Sequence, residues 1–322
     1  MARRSFKALA AAVGTALALG LPGLASATDL TKFNTIFDTN FASAGIGGMR
    51  GQGTGNVTLT GVSGTVTHAY LYWHGPSNVS ATGPGNSAVT FAGTDITGTF
   101  LGVSSDNCWG FSNSLAYRAD VTSLVSGNGV FALTNFTKSG VDINGASLIV
   151  FFDDGDASNN RDVVLFNGND SNIENSFDAL GWNITLAGIT YESGTAQAQF
   201  HVSDGQAFPD DAVTANSTII AAAGSVFDGN TVPSAGGPAT NGFLWDIRNF
   251  NVTSLLSPGT NSLNIRSGQN SDCLSCVLIA IDLPAGAAPP QEPPTGVPEP
   301  GSLALLGLGL AGLAASRRRK TA

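Results

Sequence analysis

The sequence predicts an all-β protein: two tandem β-sandwich domains of jelly-roll type, with an apolar segment near each end of the chain. Three observations lead there. Charged residues are 11% of the 322 and glycines number 41, which suits short strands joined by Gly, Asn and Ser turns and not long charged helices. Hydrophobic residues reach 42%, enough to fill two sandwich cores. No stretch between Thr28 and about Pro284 has a helical period, whereas several alternate with period two.

Residues 1–27 read as an export leader. Arg3, Arg4 and Lys7 form a positive region, Ala8 to Leu21 is apolar, and Pro22-Gly23 breaks the run. Ala25-Ser26-Ala27 then presents the small-x-small pattern read by signal peptidase, so cleavage is expected after Ala27. Arg3-Arg4-Ser5-Phe6 also touches the twin-arginine pattern, with Lys7 in place of the usual Leu. Export of an unfolded chain and export of a folded, cofactor-bearing one are both open at this point.

The first domain is expected over residues 28–156. Val66 to Trp73 alternates faces and is rich in aromatics, as a half-buried strand should be. Ala146 to Phe152 is a continuous apolar run, expected of a central strand covered on both faces. The second domain is expected over residues 157–284, with strands at Val163 to Phe166, Trp182 to Tyr191, Ala196 to Val202 and Cys276 to Ile281. An internal echo pairs the two. Asp120-Val121-Thr122-Ser123-Leu124 recurs as Asn251-Val252-Thr253-Ser254-Leu255, each followed by a Gly turn and a short strand. A buried run then opens at Ser147 and at Ser275, 26 and 23 residues after the respective Val. That period is too long for a solenoid and fits two similar sandwiches, with the boundary in the Asp/Asn-rich stretch 154–162.

A proline-rich linker, 285–296, leads into a tail, 297–322. Val297-Pro298-Glu299-Pro300 precedes an apolar run from Gly301 to Ala315 and the basic cluster Arg317-Arg318-Arg319-Lys320. These parts in this order resemble the PEP-CTERM sorting signal, and the resemblance implies processing by an exosortase. The apolar run is about 22 Å long as a helix, against a hydrocarbon core of about 30 Å. Local thinning of the bilayer or snorkelling of Arg317 to Arg319 would accommodate it. The basic cluster would remain cytoplasmic, with the body outside. The tail therefore reads as a transient inner-membrane retention device; the alternative is a permanent single-span anchor.

The leader and tail hold seven of the 14 basic residues and one acidic residue, Glu299, leaving seven basic against 22 acidic ones and a body charge near −15. Such a body should repel nucleic acid and anionic lipid. Cations, cationic polymers and neutral sugars remain as partners.

The Asp-Val-Thr-x-Leu phrase resembles one found in secreted jelly-roll and carbohydrate-binding modules. Ala69-Tyr70-Leu71-Tyr72-Trp73, Tyr117-Arg118-Ala119-Asp120-Val121-Thr122 and Gly145-Ala146-Ser147-Leu148-Ile149-Val150 together resemble repeats of bacterial adhesin-like surface proteins. The resemblance implies fold and location more than activity.

Few motifs point to chemistry. Asp154, Asp156, Ser158, Asn160 and Asp162 place oxygen side chains at alternate positions that could converge on calcium. The stretch departs from the EF-hand loop, with Asn159 where Gly is required and Leu165 where Glu is required. His68, Tyr70, Tyr72 and His74 share one strand face, either a sugar-stacking platform or a sandwich core with polar tips. No Gly-x-Ser-x-Gly elbow, His-Glu-x-x-His site or phosphate-binding loop occurs. Of three cysteines, Cys273 and Cys276 would lie about 10 Å apart in extended chain, beyond the reach of a bridge. Cys108 with Cys273 is a candidate disulfide, and Cys276 reads as a core residue.

These readings lead to a non-enzymatic, exosortase-processed surface or matrix protein with a structural or adhesive role linked to exopolysaccharide or cell-surface glycans. Two alternatives stand beside it: a secreted glycan-acting hydrolase and a calcium-dependent carbohydrate-binding module.

Overall fold

The structure, a computed structural model, describes residues 29–79, 85–105, 107–177, 181–237, 241–268 and 272–290. Among these there are β-strands and two single 3₁₀ turns, and no α-helix.

The first strand, β1 (Thr31–Ile46), belongs to two large sheets. From Thr31 to Thr39 it pairs antiparallel with β10 (Arg161–Ser171), and from Asn40 to Ile46 with β9 (Gly145–Asp153). The transfer occurs at an irregularity between Ile36 and Thr39, where Asp38 has φ +49°. Beyond β9 the first sheet continues through β3 (Thr65–Ser77), β7 (Asn113–Asp120) and β6 (Thr99–Ser104). A four-stranded sheet covers it: β2 (Gly55–Leu59), β8 (Gly129–Thr134), β4 (Ala88–Phe91) and β5 (Thr94–Thr97).

The second half repeats this plan. Beyond β10 come β17 (Ser275–Pro284), β12 (Gln197–Ser203) and β15 (Trp245–Asn251). Facing them are β11 (Asn183–Tyr191), β16 (Gly259–Ser267), β13 (Val213–Ala215) and β14 (Thr218–Ala221). The orders 1-9-3-7 over 2-8-4-5 and 10-17-12-15 over 11-16-13-14 correspond strand for strand. Each is a jelly roll of eight strands in two Greek keys; β6 is an extra edge strand in the first.

The repeated phrase makes the same device in both. Asp120 Oδ1 accepts the Thr122 amide at 3.0 Å, and Asn251 Oδ1 accepts the Thr253 amide at 2.9 Å. Each Thr hydroxyl in turn accepts an amide, Thr122 from Ala69 in β3 at 2.9 Å and Thr253 from Ala196, just before the equivalent strand, at 2.8 Å. Val121 and Val252 are fully buried. A short polar residue, a buried Val and a Thr are thus what a 3₁₀ turn pinned to the sheet needs between consecutive strands.

Three cores result. Leu71, Trp73, Tyr117 and Leu148 pack on Val57 and Phe91 inside the first jelly roll. Phe200, Ile279 and Ile281 pack on Trp182, Ile184 and Leu263 inside the second. The third lies between the large sheets, where Tyr70, Tyr72, Ile149 and Phe151 meet Val163, Leu165, Val277 and Ala280. The uninterrupted apolar run of β9 follows directly: Leu148, Val150 and Phe152 face one core, Ile149 and Phe151 another. Fully buried side chains of this size contribute about 1.5–3 kcal/mol each, so the junction is as much a core as either sandwich.

That packing decides between the two readings of the His68, Tyr70, Tyr72, His74 face. His68 is half-buried, whereas Tyr70, Tyr72 and His74 are buried between the jelly rolls. The face is a core surface, and no sugar can stack there.

Candidate ligand site at the end of the junction

Polar side chains tie the jelly rolls together where the third core ends. His74 Nδ1 lies 2.7 Å from Ser203 Oγ, and His201 Nδ1 lies 2.7 Å from Ser147 Oγ. Each pair joins a strand of one jelly roll to a strand of the other. All four residues are fully buried. Burial pushes both imidazoles down to about 3, with Arg50 adding to the effect at His74. Neutral and sealed from substrate, these pairs hold the junction and are not nucleophile–base dyads.

Asp204, just past β12, is the centre of the rim. It pairs with Arg50 at 3.5 Å and accepts Trp109 Nε1 on both carboxylate oxygens, at 2.8 and 2.9 Å. Asn144 Nδ2 donates to Ser203 Oγ at 2.9 Å and to Asp204 Oδ1 at 3.3 Å, while its own Oδ1 accepts from Arg50. The Arg50 guanidinium lies over the Trp109 ring, 3.8 Å from its centroid, a cation–π contact on one face. A Cβ on Gly205 would collide with the Asp246 carboxylate, so only glycine fits this close approach.

Cys108 and Cys273 form a disulfide between the loop before β7 and the loop before β17, with Cα atoms 6.0 Å apart. Asn107 and Cys108 have φ +55° and +64°, a left-handed pair that Asn tolerates better than most residues. Asn107 Nδ2 reaches Cys273 O at 2.8 Å and Ser275 Oγ at 3.0 Å. Closing a loop with a separation of 165 residues stabilises the fold by about 3–5 kcal/mol in the chain-entropy view. Cys276 is a free, buried thiol, and burial pushes its pKa up.

Between these loops is an open pocket of about 360 Å³, lined by Asn107, Cys108, Trp109, Gln206, Phe208, Asp272 and Cys273. Trp109 and Phe208 are 38% and 45% exposed. Asp272, in the wall, is only 1% exposed; its oxygens accept the amides of Cys273 at 2.9 Å and Gln206 at 3.2 Å. Burial first, and the charge of Asp210 second, push its carboxyl up to about 7. Asp210 and Asp246 are pushed up to about 6, chiefly by burial. Each organises a loop: Asp210 holds the amides of Val226 and Phe227, and Asp246 those of Gly229 and, through its other oxygen, the Thr231 hydroxyl.

The oxygen-rich stretch between the jelly rolls lies elsewhere. Asp154 accepts the amide of Asp156, and Asp156 accepts the amide and hydroxyl of Ser158, in successive local turns on an exposed connection. Asn160 Oδ1 is buried without a partner. Asp162 faces away, taking the amides of Asp38, Gly286 and Ala288, and so fastens the chain that leaves β17. Among the described residues no three His, Cys, Asp or Glu side chains converge as a metal site. Ala25, Ala27, Val297 to Pro300 and Arg317 to Arg319 lie outside the described residues.

The tail matches the PEP-CTERM protein-sorting motif over residues 296–320. With the fold, that match defines an exported protein of paired jelly rolls, processed by exosortase after transient anchoring in the membrane. The body belongs to the family described as protein of unknown function DUF3344, whose model matches residues 56–281 and so spans both jelly rolls. No curated protein and no solved structure matches the chain.

Proposed function

We propose that this is a non-enzymatic surface or matrix protein that holds extracellular polysaccharide in the junction pocket, its two domains, 28–156 and 157–284, acting as one adhesive unit. The observation that carries the reading is Trp109. Its indole nitrogen is fixed by Asp204, one face is backed by Arg50, and its neighbour Cys108 is disulfide-bonded, yet the ring is 38% exposed. A rigid, exposed aromatic beside a second one, Phe208, is a platform on which a sugar ring can stack with little ordering cost.

The site is also well placed. Cys273 precedes β17 and the chain toward the tail follows it, so the strand separates them by about 30 Å. A body tethered through its tail would present the pocket at the far end. A glycosidase needs two carboxylates flanking the bond, and Asp272 is the one carboxylate in the described pocket wall.

The test is retention of the mature protein on exopolysaccharide from producing cells. Trp109→Ala should lower retention about tenfold, with Phe208→Ala as a second variant. Retention unchanged in both would overturn the reading.

A further inference from the structure

We infer that the pocket is selective for glycan carrying free amino groups, an ammonium of a hexosamine lying between Trp109 and Phe208 against Asp272. This rests on the glycan reading above and adds the charge of the sugar to it.

The argument begins with what surrounds Asp272. Among the described residues, ion pairs join Arg50 to Asp204 and Arg161 to Asp282; neither involves Asp272, Asp210 or Asp246. Arg248 and Arg266 are turned to Val226 O and to Asn264 Oδ1. Three buried carboxyl groups therefore lie near one another without an ion-pair partner; burial first, and the charges of Asp210 and Asp246 after it, push the Asp272 carboxyl up. Asn107, 1% exposed and also in the wall, has a buried Oδ1 with no partner. The wall thus holds unused acceptor capacity at Asn107 Oδ1 and a carboxyl without an ion-pair partner at Asp272, which a donor-rich cationic group would satisfy.

The donor set suits an ammonium better than a metal ion. A hard divalent cation needs six or more converging oxygens, whereas the oxygens of Asp210, Asp246 and Asp272 point at separate backbone amides. An ammonium needs one or two acceptors and gains from aromatic faces. One face of Trp109 is taken by Arg50, which leaves the other for the ligand. The acidity of the body, near −15, draws such a polymer in at long range.

The experiment compares three tetrasaccharides of one β-1,4-linked backbone, differing at C2: glucosamine, N-acetylglucosamine and glucose. Calorimetry on the mature protein at about pH 7.5, where the Asp272 carboxyl is largely ionised, should show the glucosamine tetramer binding at least about tenfold more tightly than the others, the margin expected of one charge-assisted hydrogen bond. Asp272→Asn should bring the three within about twofold, leaving the weaker two unchanged. Trp109→Ala should lose all three. Equal binding of the three sugars by the parent would overturn the inference while leaving the glycan reading intact. A preference that survives Asp272→Asn would assign it to diffuse charge and also overturn it. No binding of any tetramer, with no retention on exopolysaccharide, would overturn both. Circular dichroism and thermal unfolding establish that each variant folds.

Discussion

Trp109 and Asp204 belong to different jelly rolls, yet the indole Nε1 lies 2.8 and 2.9 Å from the two oxygens of that one carboxylate. The exposed ring is therefore positioned by the partner half, and the pocket exists only when the halves are packed. Asp204→Ala should release the ring and leave Arg50 buried without its carboxylate, at a cost of about 3–5 kcal/mol. Trp73, Trp182 and Trp245 are fully buried, so acrylamide-accessible emission reports Trp109. Quenching should rise in the variant and the denaturant midpoint should fall; an unchanged quenching constant would contradict the positioning role.

The disulfide does a related job at the other wall of the pocket. Cys108→Ser with Cys273→Ser should lower stability by about 3–5 kcal/mol. It should also weaken glycan retention, because Cys108 neighbours Trp109 and Cys273 neighbours Asp272. Dithiothreitol should reproduce the effect in the parent and do nothing to the variant. A reductant effect of equal size in both proteins would point to some other target.

Asp272 gives a pH prediction. Its folded-state carboxyl titrates near 7, above the ordinary 3.8, so the native state holds the proton more tightly than the unfolded chain. The parent's stability contribution from this group is therefore fully present below about pH 4 and is lost as pH rises through 7. Asn at this position does not titrate. Asp272→Asn should gain on the parent by about 1–3 kcal/mol between pH 5 and pH 8, measured by urea midpoints. His74 and His201, pushed down to about 3, oppose this below pH 6.5, but they are common to both proteins and cancel. A constant difference across the range would contradict the buried, ionisable Asp272.

The sequence was informative where structure is local and silent where it is not. Strand alternation, the two continuous runs and the repeated Asp/Asn-Val-Thr-x-Leu phrase each depend on neighbours in the chain, and all-β paired jelly rolls followed from them. The aromatic face of β3 was ambiguous because alternation says which residues share a face, not what covers it; the second jelly roll covers it. The pocket could not be assembled from spacing, since Arg50, Trp109, Asp204 and Asp272 come from four separated loops. One local signal was available. Trp109 sits in Asn-Cys-Trp-Gly, a turn context outside any alternating or continuous apolar run, which is where an exposed aromatic stands out.

The repeated phrase allows a test of whether the halves behave as one body. Thr122 and Thr253 occupy equivalent places, their hydroxyls accepting the amides of Ala69 and Ala196 at 2.9 and 2.8 Å. Thr→Val keeps the shape and removes the acceptor, so each substitution should cost about 1–3 kcal/mol. The shared junction core and the disulfide should make unfolding a single transition, which both variants lower by similar amounts. The double variant should then approach the sum, as expected of distant sites with no shared partner. Calorimetry distinguishes the alternative. Two transitions, one answering only to Thr122→Val and the other only to Thr253→Val, would mean that the jelly rolls unfold separately and that the buried junction does not couple them.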